Sequence, residues 1–243
     1  MKHVPKLVLL VVLCGLLAGC LYPKEMRRQN QAASGEYILV VQNAIDAYKA
    51  KTGVLPIKNS TENTPHYEKY PIDFKKLEGR FLSEVPSNAF EKGGTATYVL
   101  VDVETKPAVK MMDIPSFQQV LDLQRDVDSY KIKNGSLPFG EAAAPGFYHL
   151  DFGKLGRAKL EVQSVYTRSM QLPLLLTEGG EVVIDYASEI MRLIDKKGLA
   201  GGLKAEQDLR ELLVQESYFV PARSVAYHWQ GGSPVPSGTL HEY

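Results

Sequence analysis

"VQNAIDAYKAKTGVLPI" at residues 41–57 returns as "LQRDVDSYKIKNGSLPF" at 123–139, a constant offset of 82 residues. Asp46 matches Asp128, Tyr48 matches Tyr130, and Lys49 and Lys51 match Lys131 and Lys133. Gly53 matches Gly135, and Leu55-Pro56 matches Leu137-Pro138. Upstream, Ile38, Val41, Ile45 and Tyr48 stand at the same spacing as Val120, Leu123, Val127 and Tyr130. That spacing places them on one face of an amphipathic helix in each copy. Ser34 and Ser116 offer hydroxyls to the free amides of a first turn, and so mark the two helix starts. Gly53 and Gly135 suit a left-handed cap, with a proline three residues on that stops continuation.

A second correspondence follows the first. "YPIDFKKL" at 70–77 returns as "YHLDFGKL" at 148–155, offset 78, so the loop between is four residues shorter in the second copy. Each reads as a short helix entered from an aspartate, Asp73 or Asp151. "TYVLVDV" (97–103) and "AVKMMDI" (108–114) then flank Glu104-Thr105-Lys106-Pro107, while "QLPLLLT" and "EVVIDYA" flank Glu178-Gly179-Gly180. Both patterns predict a β-hairpin. Aligned identities at fixed spacing point to duplication. The expected fold class is α+β, built from two tandem repeated modules. Each holds a long helix, a short helix and a small antiparallel hairpin, over 35–114 and 115–186, and a helical and irregular C-terminal extension follows at 187–243. In that extension "SEIMRLIDKKG" reads as a helix closed by Gly198, and "KAEQDLRELLVQE" as another with Leu209, Leu212 and Leu213 on one side. The tail beyond is rich in glycine and proline and is free to cover a sheet, join the modules or form a contact surface.

The amino end has a different character. Lys2 and Lys6 precede an apolar run from Leu7 to Leu17, broken only by Gly15 and followed by Ala18, Gly19 and Cys20. Such a run falls short of the roughly 20 residues that a membrane span needs. It fits a secretory signal with small residues before the cut. Leu17-Ala18-Gly19-Cys20 resembles the lipobox of bacterial lipoproteins. That resemblance implies diacylglyceryl attachment to Cys20, cleavage of residues 1–19, and a lipidated polar linker over 20–34. Two acyl chains hold a membrane firmly where one does so marginally. The implied location is the outer face of the cytoplasmic membrane. Loss of Cys14 with the leader would leave Cys20 as the one cysteine, blocked by lipid and unable to form an internal disulfide.

Cleavage lowers the basic count from 28 to 26 against 28 acidic residues, a net charge near −2. That balance argues against nucleic acid as partner. There is no C-x-x-C, H-E-x-x-H, G-x-S-x-G, Walker A or G-x-G-x-x-G pattern, and His66, His149, His228 and His241 are scattered. No catalytic, metal or cofactor residues are therefore assigned. Asp73 and Asp151 occupy equivalent places and would be the carboxylates of a glycosidase if one existed, although a capping role explains both. Asp46 and Asp128 face Lys49 and Lys131 at i+3 as surface pairs. The aromatic strip Tyr227-His228-Trp229 is the candidate binding surface, since exposed aromatics stack on sugar rings or anchor protein partners.

The helix ending in Y-K-x-x-x-G-x-L-P, then D-F-x-x-L, then a hairpin resembles the globular part of type II secretion pseudopilins across most of 35–190, twice. It departs from them in carrying a lipobox and polar linker where a pseudopilin has an apolar helical stem. The lipobox, size and tandem "YK…G.LP" modules resemble Bacillus lipoproteins of the YphF type, which implies membrane tethering. The expectation is a non-enzymatic, membrane-tethered extracytoplasmic lipoprotein with a binding or scaffolding role and an envelope protein partner. The alternative is a protein that binds or hydrolyses cell-wall saccharide through loop carboxylates and aromatics.

Overall fold

The first repeated stretch forms the C-terminal part of helix α1 (Lys24–Thr52), which buries Val41, Ala44 and Ile45. The helix ends where Gly53 takes φ 76° and its amide closes on the Lys49 carbonyl at 2.8 Å. A positive φ of this size favours glycine because a Cβ would crowd the backbone. The structure is a computed structural model and describes residues 24–241, with side-chain surroundings from residue 34. The described residues fall into two units, one up to Tyr37 and a body from Ile38 onward. Helix α1 begins at Lys24, so the stretch expected as a linker is helical from that residue, and Ser34 lies inside the helix rather than at its start.

Strands β1 (Ala96–Val101) and β2 (Ala108–Asp113) follow as an antiparallel hairpin, and α2 (Ile114–Asn134) leaves directly from it. The cap of α2 is Asp113, whose carboxylate accepts from the Ser116 amide at 2.9 Å. Ser116 therefore sits in the first turn instead of starting it. Helix α2 buries Val120, Leu123 and Val127 and closes at Gly135, φ 68°. Beyond it come β3 (Phe139–Ala144), β4 (Phe147–Leu150), a single helical turn α3 (Phe152–Leu155), and the short pair β5 (Val162–Gln163) and β6 (Gln171–Leu172). Strands β7 (Leu174–Thr177) and β8 (Val182–Ile184) complete an antiparallel sheet of order β3-β4-β7-β8.

The first half contains a frayed version of the same sheet. Ile57 bridges Ile72 as Phe139 pairs with Leu150, and Pro71 bridges Val99 as His149 pairs with Leu175. Proline has no amide to give a ladder. Pro71 thus leaves isolated bridges where His149, its counterpart, sustains a strand.

In the extension, α4 (Ala187–Lys197) buries Ile190, Leu193 and Ile194 and ends at Gly198. The second expected helix is shorter than its sequence pattern. Residues from Lys204 form turns, and only α5 (Arg210–Glu216) is helical. The reason is local: the Asp208 carboxylate accepts the Arg210 amide, and the Leu209 amide is held by the Tyr227 carbonyl at 2.8 Å. The tail ends in a further hairpin, β9 (Ala226–Gln230) and β10 (Ser233–Ser237), turned by Gly231-Gly232, both at positive φ. The extension is therefore part strand as well as helical and irregular. One apolar core joins α2, the second sheet, α4, Leu209, Leu213 and Tyr227. A smaller cluster packs Tyr67, Val99, Val101 and Met112 against Val214, Val220 and Ala222.

Candidate functional site

The identities shared by the two copies have matching physical work. Gln42 donates to the Pro107 carbonyl at 3.1 Å and accepts the Val109 amide at 2.8 Å. Gln124 donates to the Gly180 carbonyl at 2.8 Å and accepts the Val182 amide at 2.7 Å. Each glutamine ties its helix to its hairpin, and each also donates to the aspartate one turn on, Asp46 or Asp128. The hydrogen-bond partner of those aspartates is thus the glutamine at i−4, where lysine at i+3 was expected. Asp73 accepts the Lys75 amide and Asp151 the Lys154 amide, so both act as caps. The Lys154 amide, then its ammonium, holds the Asp151 carboxyl below its ordinary value although the group is open to solvent. Lys76 donates to the Ile57 carbonyl at 2.9 Å, and Lys154 to the Phe139 carbonyl at 2.8 Å.

An extended strap, residues 218–225, joins the halves. Met111 on β2 exchanges bonds with it through the Tyr218 carbonyl and Val220 amide, at 2.8 and 2.9 Å. Ile184, at the matching place on β8, donates to the Arg223 carbonyl at 2.8 Å. From the first half, the buried Glu68 carboxylate accepts the Arg223 amide at 2.7 Å; from the second, the Val182 carbonyl accepts the Arg223 guanidinium at 2.8 Å. Burial pushes the Glu68 carboxyl up and the Arg223 guanidinium down, and each is partly offset by the other. Lys110 donates to the Val214 and Ser217 carbonyls at the end of α5, so it fastens the extension to β2.

Tyr227 does not belong to an exposed aromatic surface. It is fully buried, its hydroxyl donating to Asp185 at 2.9 Å and accepting the Tyr186 amide at 3.0 Å. Burial pushes that hydroxyl well above its ordinary value. Alternation along β9 drives Tyr227 inward, His228 meets the Gln207 carbonyl at 3.1 Å, and Trp229 packs partly against the core. Leu17, Ala18, Gly19 and Cys20, with the rest of the stretch 1–19 expected as a leader, lie outside the described residues. Among the described residues no helix is long and apolar enough to cross a membrane, and no three His, Cys, Asp or Glu side chains are placed to hold a metal ion.

The repeats part company beside α2. A groove of about 700 Å³ opens between the second half of that helix and α3, walled by Tyr130 and Leu155. Four cations line it, Arg125, Lys133, Lys154 and Arg157, against two carboxylates, Asp122 and Asp126. Arg125 is ion-paired to Asp122 and Arg157 to Asp126, and all four side chains are well exposed. In the first half the matching space is filled. Phe81 stacks edge-on against Tyr48 with ring centroids 5.2 Å apart, and Leu77 and Ala44 are buried. With Glu78 as one extra residue in the first copy, Gly79-Arg80-Phe81 aligns with Gly156-Arg157-Ala158, both glycines at positive φ, so the ring that closes one copy is a methyl group in the other. Ala44 corresponds to Asp126 and Asn43 to Arg125. The sequence carried this signal, since aligned positions that turn from apolar to charged mark a changed surface.

Residues 34–113 match the model of the YphF family N-terminal domain. The matched span is the first repeat as read from the sequence, to within one residue at either end. The groove-bearing second repeat lies beyond this YphF-type segment. No curated protein and no solved structure matches the chain.

Proposed function

We propose that this chain is a lipid-anchored lipoprotein on the outer face of the cytoplasmic membrane with a non-catalytic binding or scaffolding role in the envelope. One observation carries the binding half of this reading. Three pairs of polar side chains common to both repeats, Gln42 and Gln124, Asp73 and Asp151, Lys76 and Lys154, bond to backbone. Folding explains the retention of these three pairs, and function is sought on the surfaces where the copies differ. The strap supports a rigid spacing between two such surfaces, because it is hydrogen-bonded to both hairpins. The anchor rests on Leu17-Ala18-Gly19-Cys20. The pseudopilin resemblance supports a surface built for association, in a chain whose tether is lipid. The test has two arms. Cys20→Ala abolishes lipid labelling and leaves the precursor uncut; normal processing of that variant would refute the anchor. Crosslinking in intact membranes captures an envelope component with the wild-type chain, and failure to capture any would remove the scaffolding role.

A further inference from the structure

We propose that the groove beside α2 binds an acidic saccharide, a sugar chain bearing carboxylate or phosphate groups. This deepens the binding role proposed above and rests on it. The excess of cations over carboxylates along the groove favours an anion. Arginine presents a planar fork that accepts carboxylate or phosphate in a bidentate manner. Its two ion pairs are exposed, and such pairs hold by only about 0–1 kcal/mol. A ligand anion can therefore exchange onto Arg125 and Arg157 at small cost, freeing Asp122 and Asp126 to accept sugar hydroxyls.

The remaining polar atoms suit hydroxyl groups. Ser129 donates to the Arg125 carbonyl, and its oxygen retains acceptor capacity. Asn134 uses one N–H on the Tyr130 carbonyl and keeps its own carbonyl oxygen available. Tyr130 supplies an aromatic wall of the kind on which pyranose faces stack. The first repeat is an internal control. It keeps the tyrosine (Tyr48) and the basic frame (Lys51, Lys76, Arg80), yet carries Val40, Asn43 and Ala44 at the places of Asp122, Arg125 and Asp126. Phe81 covers its tyrosine. The arginine–aspartate pairs and the opening thus occur together, in one copy only.

The experiment uses the full-length chain, titrated by calorimetry with a poly(N-acetylglucosamine 1-phosphate) polymer, polygalacturonate, uncharged dextran and inorganic polyphosphate. One of the two acidic polymers binds, and dextran does not; which of them binds separates phosphate from carboxylate. Arg125→Asn, which installs the first repeat's residue, weakens binding at least tenfold with the thermal midpoint retained. Lys133→Glu does the same. Binding unchanged in both variants overturns the site. Failure of both acidic polymers overturns the ligand class, as does polyphosphate binding as tightly as the sugar polymer. The outcome is separable from that of the anchor, since Cys20→Ala leaves polymer binding intact. It is separable from scaffolding too, since loss of the crosslinked partner alone leaves the groove reading standing.

Discussion

The two halves of this molecule share a skeleton and differ in what they show to solvent. In each, a glutamine ties helix to hairpin, an aspartate caps the turn after the proline, and a lysine reaches back to a strand carbonyl. The second sheet has four paired strands, with register shifts between β3 and β4, whereas the first is a hairpin with isolated bridges around Pro71. The first closes its outer groove with Phe81, and the second leaves it open and charged. The hydrogen bonds that tie helix to hairpin thus match between the halves where their outer surfaces do not. An unpaired interior amide costs about 1–3 kcal/mol, while an exposed side chain is free to change.

The joint between the halves offers the most forceful way to break the comparison. Arg223→Ala takes the guanidinium from the Val182 carbonyl and removes a cation near the buried Glu68 carboxyl, which keeps its bond from the amide of residue 223. Losing a charged hydrogen bond and stranding its buried acceptor typically costs about 3 kcal/mol. The unpartnered Nε of Arg223, removed with the side chain, offsets a little of that. Urea unfolding measures the loss. A single transition shifted to lower denaturant is the expected result. A new intermediate would mean that the halves unfold independently once the strap loosens.

Next in size are Gln42→Ala and Gln124→Ala, each leaving one amide and one carbonyl of a hairpin unpaired. The cost is about 2–3 kcal/mol each, within the range for such losses. Gln124 also meets the Arg223 guanidinium at 3.4 Å. Its removal should therefore exceed that of Gln42 by a few tenths, and a double cycle with Arg223→Ala should show coupling only for Gln124. Equal costs and no coupling would place the strap outside the second repeat's network.

These glutamines also measure how much was legible. Both stand in the repeated stretch, yet mid-helix polar residues are read as solvent-facing, and nothing in a helical period announces a bond to a strand 67 residues away. The features decided within one turn were readable: the apolar faces, the caps at Gly53 and Gly135, the aspartate caps and both hairpins. Features decided by distant partners were not. The strap has no period because one side meets β2 and the other β8. Strand β3, with the sequence FGEAAA, has little β propensity and is held as an edge by β4. Tyr227 looked like surface because its neighbours are polar and aromatic. Asp185 and the Tyr186 amide, which satisfy its hydroxyl, lie more than 40 residues away.

Glu189, fully buried on α4, has no counterpart in the first half and gives a smaller, pH-dependent effect. Burial alone would push its carboxyl up, but bonds from Ser164, Thr167 and Arg192 hold it below the ordinary 4.5. A carboxyl lowered in the folded state adds stability above its unfolded value, and that stability vanishes as pH falls through the folded one. Glu189→Gln should cost about 1–3 kcal/mol at pH 7, the range for a lost charged hydrogen bond. Thermal midpoints of variant and wild type should converge on acidification below pH 4.5. A gap that does not change with pH across the acid range would assign the loss to packing.

The smallest effect gives the sharpest comparison. Lys76 and Lys154 make the same bond to a strand carbonyl and the same i,i+3 approach to their capping aspartates, 3.8 and 3.5 Å. Both are partly exposed, so water replaces much of what methionine would remove, and exposed ion pairs contribute only about 0–1 kcal/mol. Lys76→Met and Lys154→Met should therefore shift the thermal midpoint alike and slightly. Only Lys154 lines the open groove, because the matching space in the first half is occupied by Phe81. Of two substitutions with one stability cost, Lys154→Met alone should weaken binding of the acidic polymer, by several-fold. If Lys76→Met weakened it equally, the polymer would be reading the overall charge of the body, and the divergence of the second repeat would need another explanation.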